Sequence, residues 1–160
     1  MMRFKNILVP YDGSEHADRA LDVAGDFLRS NPEARVHVIS VTYVALDAAD
    51  FNPDPPNEDE QYNLLGYEMY EEVFSQEQKA AHRAMVQAAS EILPDIEPER
   101  VICDTIIRPS AVGGIEDYAR RKKCDLIVMG RRGLGGLRQF VGSVTKEVLH
   151  RVDLPVMTIK

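Results

Sequence analysis

Apolar residues along the chain follow two alternating patterns. Short unbroken runs, such as residues 7–9 and 126–129, are typical of strands buried on both faces of a parallel sheet. Between these runs, apolar residues recur at the three- and four-residue spacing of a helix with one buried side. Strands are predicted at 4–11, 35–44, 100–107, 126–129 and 155–160, and helices at about 15–30, 64–93, 111–123 and 142–152. The alternation predicts an α/β fold, an open doubly wound five-stranded parallel sheet with helices on both faces.

One segment departs from both patterns. Residues 47–61, DAADFNPDPPNEDEQ, contain three prolines and many acids, with no hydrophobic period. A loop of this length is unusual inside a compact domain. Two interpretations stay open, a segment that closes over a ligand and a mobile insertion in an otherwise single domain of residues 1–160.

The formal net charge of −7 is unevenly distributed along the chain. Ten of the 26 acidic residues lie between Arg35 and Lys79, a stretch without Lys or Arg, which leaves 19 basic and 16 acidic residues elsewhere. The acidity therefore does not argue against an anion site outside that stretch. The basic run 120–123 is expected to complement the C-terminal dipole of its helix, so no nucleic-acid partner is predicted.

Several functional classes are disfavoured by residue content. No apolar run is long enough to span a bilayer, and the first ten residues lack the features of a signal peptide. Cys103 and Cys124 are expected to be buried thiols of a cytoplasmic protein. The four histidines share no metal-ligand spacing, and we expect His16 in an exposed helix turn and His37 among strand core residues.

Two loops follow predicted strands at their carboxyl ends, where open α/β sheets bind ligands. The first, VPYDGS, places Asp12 and Gly13 after the first strand, and Ser14 is expected to cap the next helix. The second, GRRGLGGLRQFVGS, follows the fourth strand. In a sheet ordered 2-1-3-4-5, or a relative of it, the two loops are predicted to face each other.

The second loop has the features of a phosphate site. Gly130 and Gly133 allow a ligand close to the backbone, and Ser143 is the expected N-cap of a helix with no acid in its first three positions. Arg131 and Arg132 add positive charge. The loop contains neither a Walker A motif nor a complete Rossmann fingerprint. A plain glycine-rich connection remains the alternative at this point.

The same residues resemble the universal stress protein family, whose ATP-binding loop reads G-x2-G-x9-G-[ST]. The resemblance extends over NILVPYDGSEHADRAL, CDLIVMGRRG and GSVTKEVLHRVDLPVMTIK, nearly the whole chain. It implies the adenine nucleotide alpha hydrolase-like fold. Two departures are visible: eight residues instead of nine separate Gly133 from Gly142, and Arg108 replaces the glycine of a Gly-x-Pro-[AS] turn.

The resemblance also implies a ligand, ATP (or ADP or AMP) with Mg²⁺, and a set of contacts. The residues expected near adenosine are Pro10, Asp12, Val41, Met129 and Gly130. The residues expected at the phosphates are Gly133, Gly142, Ser143, Val144 and Thr145. Val41 would offer backbone hydrogen bonds to the adenine edge. Arg131 and Arg132 are added on charge alone.

Three functions are compatible with these features. The first is a nucleotide-dependent regulator of the stress response with an unknown protein partner. The second is a slow ATPase or phosphotransferase, which lacks an obvious catalytic group beyond Asp12. The third is a nucleotide-independent interaction module. In each case the resemblance and the apolar final strand imply a homodimer formed through Val156–Ile159.

Overall fold

The computed structural model describes residues 4–43, 64–108, 110–134 and 141–160. The predicted insertion at 47–61 lies outside these ranges. The described residues form the strands β1 (Asn6–Pro10), β2 (Arg35–Tyr43), β3 (Val101–Arg108), β4 (Leu126–Gly130) and β5 (Val156–Ile159). The helices are α1 (Glu15–Ser30), α2 (Leu64–Ile92), α3 (Ala111–Arg121) and α4 (Ser143–Arg151).

All five strands are parallel and form one sheet in the order β3-β2-β1-β4-β5. The predicted fold class is therefore confirmed. The order is not 2-1-3-4-5 itself but a relative of it, in which β1 pairs with β2 on one side and with β4 on the other. Strands β2 and β3 lie on one side of β1, and β4 and β5 lie on the other. The switch point of the sheet is therefore between β1 and β4, directly between the two predicted loops.

The two faces of the sheet bury alternate residues of each strand. On β1, Ile7 and Val9 pack with α1 and α2, whereas Leu8 packs with α3 and α4. All three side chains have no exposed surface. The unbroken apolar runs in the sequence thus arise because helices cover both faces.

His37 lies in the core, as its alternation with apolar residues predicts, and is 6% exposed. Its Nδ1 lies 3.1 Å from the hydroxyl of Tyr118 on α3, and that hydroxyl donates to the carboxylate of Asp104 on β3. Burial lowers the pKa of His37, with a further lowering from the nearby charge of Lys122. His37 is therefore a hydrogen-bonded core histidine.

Helix length does not indicate a membrane segment. Over the ranges that the structure covers, no helix is both long and apolar enough to span a bilayer. The longest, α2, places Met85 and Ala89 in the core, together with Leu93 directly after its last residue. These residues cover the same face of the sheet as α1.

Candidate functional site

The carboxyl ends of β1 and β4 lie side by side. Ile7 pairs with Leu126 and Leu8 with Ile127, so the loops that follow the two strands leave the same edge of the sheet. A Cβ atom on Gly133 would overlap the carboxylate of Asp12, and would lie 3.6 Å from its Cγ. The two loops predicted to face each other are therefore in direct contact, and a side chain at position 133 would displace the Asp12 carboxylate.

The β1–α1 loop is a tight turn with α1 capped behind it. Gly13 has φ +77°, a left-handed conformation that favours glycine, and the amide of Ser14 donates to Asp12 Oδ1 at 3.0 Å. Ser14 Oγ accepts from the amide of Ala17 at 3.2 Å, so the predicted cap is confirmed. Asp12 itself is exposed, just beyond the carboxyl end of β1.

The end of β4 passes beneath the first turn of α1. A Cβ atom on Gly130 would lie 2.8 Å from His16 Cβ and 2.9 Å from the carbonyl oxygen of Arg132. The expectation that His16 occupies an exposed turn was wrong. Its Nδ1 is buried and has no hydrogen-bond partner among the described residues. Glycine at position 130 is what permits this close crossing of helix and strand.

Helix α4 begins one residue differently from the prediction. Gly142, and not Ser143, is the N-cap residue, because the Gly142 amide donates to the carbonyl of Arg131 at 2.8 Å and its own carbonyl accepts from Lys146. No side chain caps this helix, and its first turn has no acidic residue. The first amides of a helix have no acceptor within it, so Ser143, Val144 and Thr145 present donors at the crevice.

Thr145 is 3% exposed, and its hydroxyl donates to the carbonyl of Gly130 at 2.9 Å. This bond ties the first turn of α4 to the end of β4. The hydroxyl proton is therefore already used within the protein, and a phosphate contact through it is not supported by this geometry. A phosphate contact through the backbone amide of Thr145 stays a prediction. Ser143 and Val144 are exposed at the same helix start.

Val41 lies on β2, beyond the last residue of β1. The amide of Tyr11 donates to the carbonyl of Ile39 at 2.7 Å, so the backbone groups of Ile39 are directed toward β1. Residues two apart on a strand direct their backbone groups to the same side. The Val41 amide and carbonyl therefore point to the space beyond Pro10, which is the backbone geometry predicted for contact with a base.

The remaining predicted residues occupy the floor and one side of the crevice. Met129 is only 4% exposed and belongs to the core beneath α3 and α4. The Arg131 amide donates to the carbonyl of Ile159 on β5 at 2.7 Å, while its carbonyl holds Gly142. Arg131 and Arg132 are both partly buried. Arg131 thus joins β4, β5 and α4 through its backbone.

The site contains two residues that the sequence gave no reason to select. Tyr11 donates through its hydroxyl to Asp18 on α1 at 2.6 Å, directly beside Asp12. The spacing of Tyr11 and Asp18 in the sequence follows no recognised motif, and the turn at Gly13 brings the two residues together. The described residues contain no group of three or more side chains that could hold a metal ion.

Comparison with known proteins agrees with this architecture. Residues 3–160 match the family model described as "Universal stress protein family". The "universal stress protein in QAH/OAS sulfhydrylase 3′region" of Thermus aquaticus is 30% identical over 158 residues, which cover 98% of this chain and 99% of the relative.

Solved structures give the same result. The universal stress protein UspA from Lactobacillus plantarum superposes with a TM-score of 0.75 at 25% identity, over 100% of both chains. A universal stress protein from Archaeoglobus fulgidus, solved in complex with dAMP, shares the fold with a TM-score of 0.59 at 21% identity, over 99% of this chain and 100% of that one. The chain belongs to the universal stress protein family.

Proposed function

We propose that this protein binds an adenine nucleotide, ATP with a divalent cation, in the crevice between β1 and β4 and acts as a nucleotide-dependent regulator in the stress response. One observation carries the proposal. The first turn of α4 has neither a capping side chain nor an acid, and it starts beside two loops in contact at the switch point of the sheet. Such a helix start attracts a phosphate group.

The phosphate half of the site consists of backbone. Gly133 and Gly142 carry no Cβ, and the Gly142 cap position lies against the backbone of Arg131 and Arg132. The amides of Ser143, Val144 and Thr145 would donate to phosphate oxygens. The arginine side chains would add positive charge at the entrance. Because these donors are fixed by the helix, they cost little to order when the ligand binds.

The nucleoside half lies toward β2. The Asp12 carboxylate would accept from a ribose hydroxyl, and the sugar would rest on Pro10, above the buried Met129 and Gly130. The Val41 amide and carbonyl would read the adenine edge. Support for adenine comes from the Archaeoglobus fulgidus relative, whose structure contains dAMP.

A divalent cation would be held mainly by phosphate oxygens and water. Mg²⁺ keeps several waters and commonly binds proteins through one or two carboxylates only. Since the Asp12 carboxylate is assigned to the ribose, phosphate oxygens and water would supply the cation's ligands. The residues therefore fit a cation that arrives with the nucleotide, and not a separate protein-made metal site.

A regulatory role fits the side chains better than catalysis. Phosphoryl transfer needs a group that orients the nucleophile and a charge that meets the transition state. The described end of the crevice beside α4 supplies backbone amides, and the Thr145 hydroxyl there is bonded to Gly130. A phosphate-release assay on the wild type and on Gly133→Val tests the alternative ATPase. Release above the buffer blank that is lost in the variant would support hydrolysis.

The proposal includes a homodimer formed through Val156–Ile159. β5 is an edge strand, and Met157 on it is 36% exposed. Leu149 on the neighbouring helix α4 is 49% exposed. An edge strand with exposed apolar side chains favours pairing with another copy. Light scattering at micromolar concentration tests this, and a monomer there would contradict it.

The proposal also places the protein in the cytoplasm as a single domain. Cys103 and Cys124 are free thiols; Cys124 is buried as predicted, whereas Cys103, on the edge strand β3, is only partly buried. Burial raises the pKa of Cys124 to about 11, which keeps it protonated and unreactive at neutral pH. Buried, unpaired thiols are usual in reducing compartments.

Calorimetry with ATP and Mg²⁺ tests nucleotide binding directly. We expect the wild type to bind ATP and Gly142→Val to bind it much more weakly, because the added side chain lies at the phosphate end. Equal affinities, or no binding by either protein, would contradict the proposal. Mass spectrometry of gently purified protein is an independent test, since a co-purified adenine nucleotide would argue against a nucleotide-independent module.

A further inference from the structure

The β1–α1 loop, residues 11–14, is closed at both ends by the same residue. The hydroxyl of Tyr11 donates to Asp18 Oδ1 at 2.6 Å, and the amide of Asp18 donates to the carbonyl of Ser14 at 3.0 Å. Asp18 therefore holds the first and the last residue of the loop together. Asp12 and Gly13 lie between these two fixed points.

Tyr11 is also fixed to the sheet. Its amide donates to Ile39 at 2.7 Å, one residue beyond Pro10, which has no N–H group. Its half-buried ring packs against the core beneath α1 and α2. Burial, followed by the hydrogen bond to Asp18, raises the pKa of the phenol, so it stays a donor at physiological pH. Tyr11 thus links the end of β1 to the first turns of α1.

Asp12 depends on this link for its position. It is exposed, and within the loop its carboxylate accepts at Oδ1 from the Ser14 amide. Its other carboxylate oxygen lies against Gly133 of the facing loop. Small movements of residues 11–14 would therefore change both the distance between the loops and the direction of the carboxylate.

We propose that Tyr11 and Asp18 are positioning residues for the nucleoside half of the site, acting through Asp12. This inference rests on the proposed nucleotide-binding function. Without the Tyr11–Asp18 bond the loop opens, and the Asp12 carboxylate no longer meets the ribose in a fixed orientation. The phosphate end, built from α4 and Gly133, keeps its donors. The affinity for AMP and the affinity for ATP therefore fall by the same factor.

Titration calorimetry of Tyr11→Phe with AMP and with ATP, both with Mg²⁺, tests this. The substitution removes one oxygen and keeps the ring in the core. We expect affinity for both nucleotides to fall about fivefold to tenfold, less than the loss of a direct hydrogen bond to a charged group, because the bond acts through Asp12. Unchanged affinity, or a loss confined to ATP, would overturn the inference.

Tyr118→Phe is the matched control. It also removes a phenol that donates to a carboxylate, that of Asp104, on α3 and away from the crevice. Both variants lose stability, which thermal unfolding measures. Nucleotide affinity falls only in Tyr11→Phe if the bond positions Asp12. An equal loss in both variants would reduce the role of Tyr11 to general stability and contradict the inference.

A second pair of variants avoids dependence on one substitution. Asp18→Asn keeps an acceptor oxygen for the Tyr11 hydroxyl, whereas Asp18→Ala removes it. We expect Asn to retain affinity within about twofold and Ala to reproduce the loss seen in Tyr11→Phe. Equal affinity of the Asn and Ala variants would overturn the inference. A wild type that binds neither AMP nor ATP overturns the proposed function itself, and is recognised before any variant is compared.

Discussion

Helices α1 and α4 start at the same edge of the sheet, a few residues after neighbouring strands, but their first turns are built differently. Ser14 caps α1 through its side chain, and Glu15 and Asp18 place negative charge in its first turn. Helix α4 starts at Gly142 with no side-chain cap and no acid in its first turn. One start is neutralised by the protein itself, and the other leaves its donors available.

Helix α3 shows that capping is the usual arrangement here. Ser110 accepts from the amide of Gly113 at 3.0 Å, as Ser14 does for α1. With glycine at the cap position, as at Gly142, the missing side-chain cap costs a few tenths of a kcal/mol of stability. The difference between α1 and α4 therefore indicates where the protein forgoes a stabilising group, and an anionic ligand would replace that group on binding.

The largest expected effect comes from giving α4 the kind of cap that α1 has. A Cβ at Gly142 would meet only ordinary contacts, the nearest being 3.4 Å from Arg132 Cα, so Gly142→Asp fits. We expect ATP affinity to fall by about 100-fold or more, because the carboxylate occupies the free amides and repels phosphate. Thermal stability should stay equal or rise.

Calorimetry and thermal unfolding measure both effects of Gly142→Asp. Gly142→Asn is the matched control, since it also caps the helix but carries no charge, and it should weaken ATP binding less. Undiminished ATP affinity in the Asp variant would mean that the free start of α4 is not where the phosphates bind.

Separating the two loops should have the next largest effect. In Gly133→Ala the new Cβ overlaps the Asp12 carboxylate. We expect ATP affinity to fall about tenfold to 100-fold, since a displacement of this kind misaligns both halves of the site. In an Asp12→Ala background, which already lacks the acceptor for the Ser14 amide, Gly133→Ala should cost less thermal stability than in the wild type, because the overlap disappears. Independent, additive stability losses in the double variant would contradict contact between the loops.

Thr145→Val tests whether the Thr145 hydroxyl positions the first turn of α4 or contacts the ligand. The hydroxyl donates to the buried carbonyl of Gly130, so its loss should lower stability by about 1–2 kcal/mol. Thr145→Ser keeps the hydroxyl and should retain most of that stability in denaturant unfolding. ATP affinity should fall by less than in Gly142→Asp. If Thr145→Val lost more free energy of ATP binding than free energy of unfolding, the hydroxyl would instead be assigned to the phosphates.

The smallest expected effect is at the capped helix. Ser14→Ala should lower the free energy of unfolding by about 1 kcal/mol, because the Ala17 amide loses its acceptor. Nucleotide affinity should change by no more than about threefold, since α1 contributes no free donors to the site. A large loss of ATP binding in Ser14→Ala, with stability unchanged, would reverse the roles assigned to the two helix starts.

Local sequence predicted much of this arrangement. The two hydrophobic periods were enough for the α/β class and for every described α-helix and strand within a few residues, because each period reflects which side chains a covered sheet must bury. Ser14 was predicted as a cap for a similarly local reason. The loop glycines were identified because close backbone contact excludes a Cβ at these positions.

The errors occurred where a distant residue decides the outcome. Ser143 is a good N-cap residue, but the bond between the Gly142 amide and the Arg131 carbonyl starts α4 at Gly142. His16 is a polar residue in a first helix turn, and only the passage of Gly130 beneath it buries its Nδ1. The link between Tyr11 and Asp18 also depends on the turn between them.

The sequence by itself determined the layered α/β architecture, the glycine-bearing loops and the family, since these follow from periodicity and from local residue preferences. Only the tertiary structure decided the strand order, which makes β1 and β4 neighbours, and the contact between Asp12 and Gly133. The physical reason is that side-chain periodicity states which face of a strand is buried. It does not state which strand lies beside it, and that choice is made by packing across the whole sheet.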